Sequence, residues 1–236
     1  MTEIITGKHA VLEILRAKKR RCHEVWVAET KKEKIVEEIE AEAKKNKVPL
    51  RRENIHEGIA ARCDPFVFSE IGPVIAAAKA SNNKGLLVVL DGIVDPQNLG
   101  ALIRTAHLCG ANGIIIPKDN SAPVSPATVK ASSGATEHIP IVQITNISTT
   151  LKELKDHGFW VVGAAGGTAQ NLYLYDFKGN NYVLVLGSEG KGIRRLVREN
   201  CDHLISIPML GKIDSFNVSV AGAIFMSEIM RQRYFG

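Results

Sequence analysis

The residues Tyr182-Val183-Leu184-Val185-Leu186 run without a break into Gly187-Ser188-Glu189-Gly190-Lys191-Gly192, and this junction restricts the fold more than any other part of the chain. A half-exposed strand alternates apolar and polar residues. A continuous apolar run instead marks a strand covered on both faces, as in a parallel sheet. The glycines that follow permit positive φ and close approach to the backbone. Glu189 therefore lies just past a strand's carboxyl end, where open α/β sheets place their ligands.

The same texture extends over residues 86–236. Leu86 to Leu90, Gly113 to Ile116, Phe159 to Gly163, Tyr182 to Leu186 and His203 to Ile207 are apolar runs separated by helical patterns. Strands alternating with helices imply a largely parallel sheet sandwiched between helices. Residues 1–75 read differently, as a smaller α/β unit. Ala10, Val11, Ile14 and Leu15 have helical spacing, and Glu24 to Ala28 alternates like a strand. Lys34 to Asn46 predicts a second amphipathic helix, Val48 to Leu50 a short strand, and His56 to Ala61 a turn and short helix. Residues 76–85, ending in Ser81-Asn82-Asn83-Lys84-Gly85, have the composition of a linker. The fold class is α/β, in two domains, 1–75 and 86–236.

No run approaches the roughly 18 apolar residues of a membrane span, and the start of the chain lacks a signal peptide's apolar segment, so a cytoplasmic location is expected. Cys22, Cys63, Cys109 and Cys201 are scattered, with no Cys-x-x-Cys pair. Neither a disulfide framework nor a metal site is indicated. Residues 1–85 hold 17 Lys and Arg against 13 Asp and Glu, which places most of the chain's +5 charge in its first third. Arg16, Lys18, Lys19, Arg20 and Arg21 form one basic cluster, and Lys44, Lys45, Lys47, Arg51 and Arg52 another. Such clusters can neutralise phosphates with release of counterions, or simply be solvated helix ends.

Two further stretches carry chemistry. Asp95 can cap a helix whose first turn suits Pro96, and Leu99, Leu102, Ile103 and Ala106 form its apolar stripe. Arg104 then leaves the helix about 150° from that stripe, away from the core. The second stretch, Ile205 to Ala221, leads into a C-terminal helix running to about Arg231, which Asp214 or Ser215 can cap.

Asp95-Pro96-x-Asn98-x-Gly100-x-x-x-Arg104-Thr105-Ala106, then Leu186-Gly187-Ser188-Glu189-Gly190-x-Gly192, then Ile207-Pro208-Met209 with Ser215-x-Asn217-Val218-Ser219-Val220-Ala221 resemble the three motifs of the SpoU/TrmH class of SPOUT methyltransferases. Gly7-Lys8-His9-Ala10-Val11-x-Glu13-x-Leu15 and His56-x-Gly58-Ile59-Ala60 resemble that family's N-terminal substrate-binding domain. The resemblance implies a trefoil knot in the C-terminal domain, S-adenosylmethionine bound in it, and a homodimer with shared active sites. It implies an RNA 2′-O-methyltransferase, with a guanosine of 23S rRNA as the expected substrate and tRNA as the alternative, and with no metal and no membrane partner. By motif position, Gly187, Ile207 and Phe216 would line the cofactor pocket, with Met209, Leu210, Asn217 and Ala221 nearby. Asn98, Arg104, Glu189, Ser215 and Asn217 fall on catalytic or substrate-positioning positions, with Glu189 and Asn98 holding the Arg104 guanidinium or the ribose. Phe216 stands where the family usually has leucine.

Other classes fit less well. Gly163-Ala164-Ala165-Gly166-Gly167 is not a dinucleotide-binding fingerprint, and neither Gly190-Lys191 nor Gly211-Lys212 completes a P-loop. A non-catalytic RNA-binding protein would keep the basic clusters but has no use for the five polar motif residues together.

Overall fold

The computed structural model describes residues 2–28, 33–53, 55, 57–82 and 84–236. His56 and Asn83 lie outside the described residues.

The first unit holds β1 (Glu3–Thr6), α1 (Lys8–Ala17), β2 (Cys22–Val27), α2 (Lys34–Lys45), β3 (Leu50–Arg52) and β4 (Ile59–Cys63). Its sheet runs β1-β4-β2-β3, with β2 and β3 parallel and β4 antiparallel to both neighbours. The apolar stripes of α1 and α2 bury Val11, Ile14, Leu15, Val36 and Ile39 with Ile5, Val25 and Val27 of the sheet. One expectation fails here. Residues 59–61, read as the end of a turn and short helix, belong to β4, an interior strand of this sheet. Its edges pair with β1 and β2, and Ile59, Ala60 and Ala61 are all buried, so the period-two signal that marks a strand is absent from Ile-Ala-Ala and pairing overrides the alanines' helical preference.

The second unit opens with α3 (Ile71–Lys79) and continues through β5 (Leu86–Asp91), α4 (Pro96–Leu108), β6 (Gly113–Pro117), α5 (Pro126–Ala131), β7 (Ile141–Ile144), α6 (Ile147–Asp156) and β8 (Phe159–Ala164). It ends with β9 (Gln170–Asn171), β10 (Asn181–Gly187), α7 (Arg195–Arg198), β11 (His203–Ser206) and α8 (Val218–Tyr234). The linker expected over residues 76–85 is therefore shorter, because 76–79 complete α3. Val74, Ile75 and Ala78 of that helix bury a face against Leu87, Val89 and Ile115.

The seven strands are ordered β7-β6-β5-β10-β8-β11-β9, and every pairing is parallel. All five strands expected from apolar runs are present, with β7 and β9 added at the edges. Leu184 and Leu186 of β10 face α4 and α8 through Leu102, Phe225 and Met226, while Val183 and Val185 face α3, α6 and α7 through Ile75, Leu151 and Val197. This two-sided burial is the physical content of the unbroken apolar run. Each fully buried Val or Leu contributes about 1.5–3 kcal/mol of transfer free energy. No helix among the described residues is long and apolar enough to cross a membrane.

Candidate active site

Strand β10 lies between β5 and β8, and its last residue, Gly187, is in register with Asp91 at the end of β5. Past Gly187 the chain doubles back. Ser188 and Gly192 exchange backbone hydrogen bonds at 3.1 and 2.9 Å, with Gly190 at φ 76° and Gly192 at φ 65°. A side chain on Gly187 would collide with the backbone of Gly192 and Ile193, so this turn closes only over a glycine. Glu189 is thereby presented, exposed, at its tip.

Two helices aim their first turns at that carboxylate. Asp95 caps α4, accepting from the backbone N–H groups of Gln97 at 3.1 Å and Asn98 at 3.3 Å, which fixes Asn98 in the first turn. The α8 cap is Asn217 rather than Asp214 or Ser215. Its Oδ1 accepts from the backbone N–H of Ser219 at 2.9 Å and from the Ser219 hydroxyl. The Asn217 amide nitrogen then donates to Oδ1 of Asn98 at 3.1 Å and to Oε1 of Glu189. Oε1 of Glu189 also accepts from Nδ2 of Asn98 at 3.4 Å and from the backbone N–H of Val218 at 3.5 Å. Three side chains, from the turn after β10, the first turn of α4 and the cap of α8, thus close one hydrogen-bonded group, with an anion at a helix N-terminus where the dipole favours it.

Beside this group opens a cavity of about 370 Å³, within the usual range for small-molecule sites. Among the expected cofactor residues, Gly187, Ile207, Met209, Phe216 and Ala221 line it, as do Glu189 and Ser215. Leu210 does not; it is fully exposed. Asn217 reaches the cavity only through Glu189. Phe216 stays 41% exposed, so its larger ring forms part of the wall without being driven into the core.

Arg104 is elsewhere. It lies six residues along α4 from Asn98, about 9 Å by helix rise, and its guanidinium donates to the Ser133 hydroxyl at 3.1 Å. Within one chain it is held by neither Asn98 nor Glu189.

The sequence reading gave no role to Asp91 or Arg194. The Asp91 carboxylate is buried and accepts from the backbone N–H of Arg194 at 2.8 Å and from its Nε at 2.6 Å. This pair ties the far end of the Glu189 turn to β5. A carboxylate ending an otherwise apolar strand was the available signal.

Several cations of the basic clusters are already partnered. Arg20 is buried against Glu137 at 2.7 Å and Glu3 at 3.2 Å, Arg16 meets Glu13 and Glu38, Lys45 meets Glu42, and Arg51 meets Glu24.

The family described as SpoU rRNA Methylase matches residues 85–227, and RNA 2′-O ribose methyltransferase substrate binding matches residues 4–68. A relative from Pseudomonas putida named 23S rRNA (guanosine-2′-O-)-methyltransferase RlmB is 41% identical over 98% of this chain and 97% of its own length. A Yersinia pestis protein of the same name is 38% identical over 99% and 98%. Among solved structures, the SpoU methyltransferase AviRb from Streptomyces viridochromogenes in complex with the cofactor AdoMet superposes with a TM-score of 0.83. It is 20% identical and covers 100% of this chain and 92% of that one, a likeness of fold.

Proposed function

Because the chain belongs to the SpoU rRNA methylase family, we propose that it transfers a methyl group from S-adenosylmethionine to the 2′-hydroxyl of a guanosine in 23S ribosomal RNA. The observation that carries this reading is the Asn98–Asn217–Glu189 group closed at the rim of a cavity of cofactor size. The residues present suit that cofactor. Apolar walls from Leu186, Ile207, Met209 and Phe225 can cover an adenosine, and the carboxylates of Glu189 and Asp214 on the same lining complement a sulfonium and an ammonium. When bound, the cofactor supplies an electrophilic methyl group.

The protein's own contribution is placement. Holding two reactants in line can supply up to about 7–11 kcal/mol of a barrier. Glu189, fixed by Asn98 and Asn217, is positioned to accept from a ribose hydroxyl entering over the cavity. A guanidinium keeps its proton at neutral pH. Arg104 therefore acts as a clamp on a phosphate and as a stabiliser of charge developing on the ribose oxygen, rather than as a base. Recognition of the 2′-hydroxyl makes the substrate RNA and not DNA.

A second copy of the chain is what can bring Arg104 to this group. Leu210, Ile213 and Val220, all exposed beside the cavity, support a homodimer across this face. The C-terminal unit is read as knotted, as its family resemblance implies, and residues 1–75 as the RNA-binding domain. The reading is tested by incubating the protein with a 23S rRNA transcript and labelled S-adenosylmethionine and mapping 2′-O-methyl marks. A single marked guanosine is expected. Label entering only tRNA would move the substrate assignment, and no label in either RNA would remove the proposed function.

A further inference from the structure

The four scattered cysteines show no pairing pattern along the chain, yet two of them meet in the sheet of the first unit. Strands β2 and β4 run antiparallel, and Cys22 at the start of β2 stands directly opposite Cys63 at the end of β4. Opposed residues of antiparallel strands point to the same face, with Cα atoms about 4.5 or 5.5 Å apart. Both spacings fall within the range that a disulfide bridges without backbone movement. The next paired residues are Glu24 and Arg62, so His23 is the extra residue of a bulge beside the pair, where the ladder is locally open.

The two thiols are unequal. Cys22 is partly open to solvent, whereas Cys63 is fully buried. Hydrogen bonding to the Cys63 thiol, ahead of the opposing effect of burial, holds Cys22 below the usual thiol value, and Arg20 lowers it further. The same hydrogen bond, and then burial, push Cys63 far above that value. Cys109 and Cys201, also partly exposed, are instead raised by burial, Cys201 to about 12, and neither lies on a strand. The thiolate is the form that attacks a disulfide. Of the four, Cys22 alone combines access, easier ionisation and an adjacent second thiol. The pair also lies at the corner where the chain leaves the first unit. Asp64 donates its backbone N–H to the Arg21 carbonyl at 2.9 Å, offers its own carbonyl to Arg20 at 3.3 Å, and meets His23 at 2.7 Å. Arg20 goes on to Glu137 of the second unit, and a little further along the chain the Ser69 N–H donates to the carbonyl of Ile141 in β7.

We propose that Cys22 and Cys63 form a reversible disulfide, made by exchange with a small-molecule disulfide of the glutathione type, that clasps the sheet where the first unit meets the second. The Cys22 thiolate attacks one sulfur of the oxidant and expels the other as a thiolate, leaving a mixed disulfide on Cys22. Cys63 then attacks the Cys22 sulfur, passing its proton to the second small thiol as that leaves. Two protein sulfurs are oxidised to one disulfide, and the two electrons reduce the small disulfide to a thiolate and a thiol. Burial gives Cys63 the resolving role, because an oxidant in solution reaches Cys22 first. Closing the bond joins the ends of β2 and β4 and removes freedom from the unfolded chain between them. It also fixes the corner from which Arg20 reaches Glu137, so oxidation strengthens the fastening between the units. Neither cysteine belongs to the group around Glu189, and the clasp stands whether or not the protein transfers methyl groups.

Full-length protein is incubated with oxidised glutathione at neutral pH, alongside a sample in urea. Both are alkylated with N-ethylmaleimide and digested for mass spectrometry, and the melting temperature of the native sample is read before and after dithiothreitol. One cross-linked peptide pair holding Cys22 and Cys63 is expected in the native sample, with Cys109 and Cys201 alkylated. The melting temperature should rise by about 5–10 °C, the scale of one disulfide in a chain of this size, and fall back on reduction. Two variants separate the roles of the thiols. Cys63→Ala should accumulate glutathione on Cys22, because nothing resolves the mixed disulfide, and Cys22→Ser should leave Cys63 unmodified. The link in the unsubstituted protein is read independently of either variant. Lasting glutathione on Cys22 of that protein would overturn the clasp, as would a link formed only in urea or a melting temperature that oxidation leaves unchanged.

Discussion

Glu189 accepts bonds from two asparagine amides and one backbone N–H, so its carboxylate has a fixed position before any substrate arrives. That fixity depends on Gly187. Gly187→Ala should force the turn open, costing about 1–3 kcal/mol as an overpacking change. The same variant should lose S-adenosylmethionine binding, and an undiminished calorimetric isotherm would show that the turn does not shape the cavity. Arg104 makes one described side-chain bond, to Ser133, and contributes little to the core. Arg104→Ala should therefore leave the melting temperature and cofactor affinity unchanged while methyl transfer falls by about a hundredfold or more, the scale of losing one donor to a developing oxyanion. Near-normal turnover would take Arg104 out of the site. Glu189 could be placed from sequence because it follows a strand end, whereas Asn98 and Asn217 were marked by the motif resemblance, and the cap of α8 was expected at Asp214 or Ser215. The Asp91–Arg194 tie, spanning 103 residues, has no such local mark.

Helix α4 joins the site to the rest of the protein. Its capped first turn carries Asn98, its middle turn Arg104, and its last turn His107, stacked on His138 at 5.3 Å. His138 in turn meets Glu13 of α1 at 2.7 Å. Burial first, and then His138, hold the His107 imidazole below its usual value; Lys19 adds to this and Glu13 opposes it. The native state therefore takes up this proton less readily than the unfolded chain. Stability from this group is intact above the free imidazole value of about 6.5 and is lost as pH falls through that value toward the lower native one. His107→Gln should flatten the slope of unfolding free energy against pH just below about 6.5, measured by urea titration. An equally steep slope would assign the effect to another group. At this scale the sequence was legible where helices or strands had a strong pattern, as in α4 and β10. It misled at β4, whose short alanine-rich run is a strand only because β1 and β2 flank it, and at α3, whose buried face meets a sheet that begins later in the chain.

The two units are fastened through a buried ion pair. Arg20 at the start of β2 reaches Glu137, 117 residues away in the turn after α5, and both side chains are almost wholly excluded from water. Arg20→Ala would strand the Glu137 carboxylate and should destabilise the whole protein by about 3–5 kcal/mol, whereas replacing both partners by apolar residues of similar size should cost much less. Equal losses in the single and double variants would contradict the pairing. This position also shows how a charge count misleads: Arg20 belongs to a basic cluster in sequence, yet its guanidinium is spent on the protein itself.

The sequence by itself determined the α/β class and the central strands, through short-range periodicity, and the place of Glu189 just past a strand's end; Asn98 and Asn217 were marked by their motif resemblance alone. Tertiary structure alone decided that Arg104 sits away from the group these three form, that Arg194 ties down the turn, and that Cys22 and Cys63 meet across β2 and β4. Each of these depends on which elements pack side by side. That is set by burial summed over the whole chain and leaves no signature within any single stretch of it.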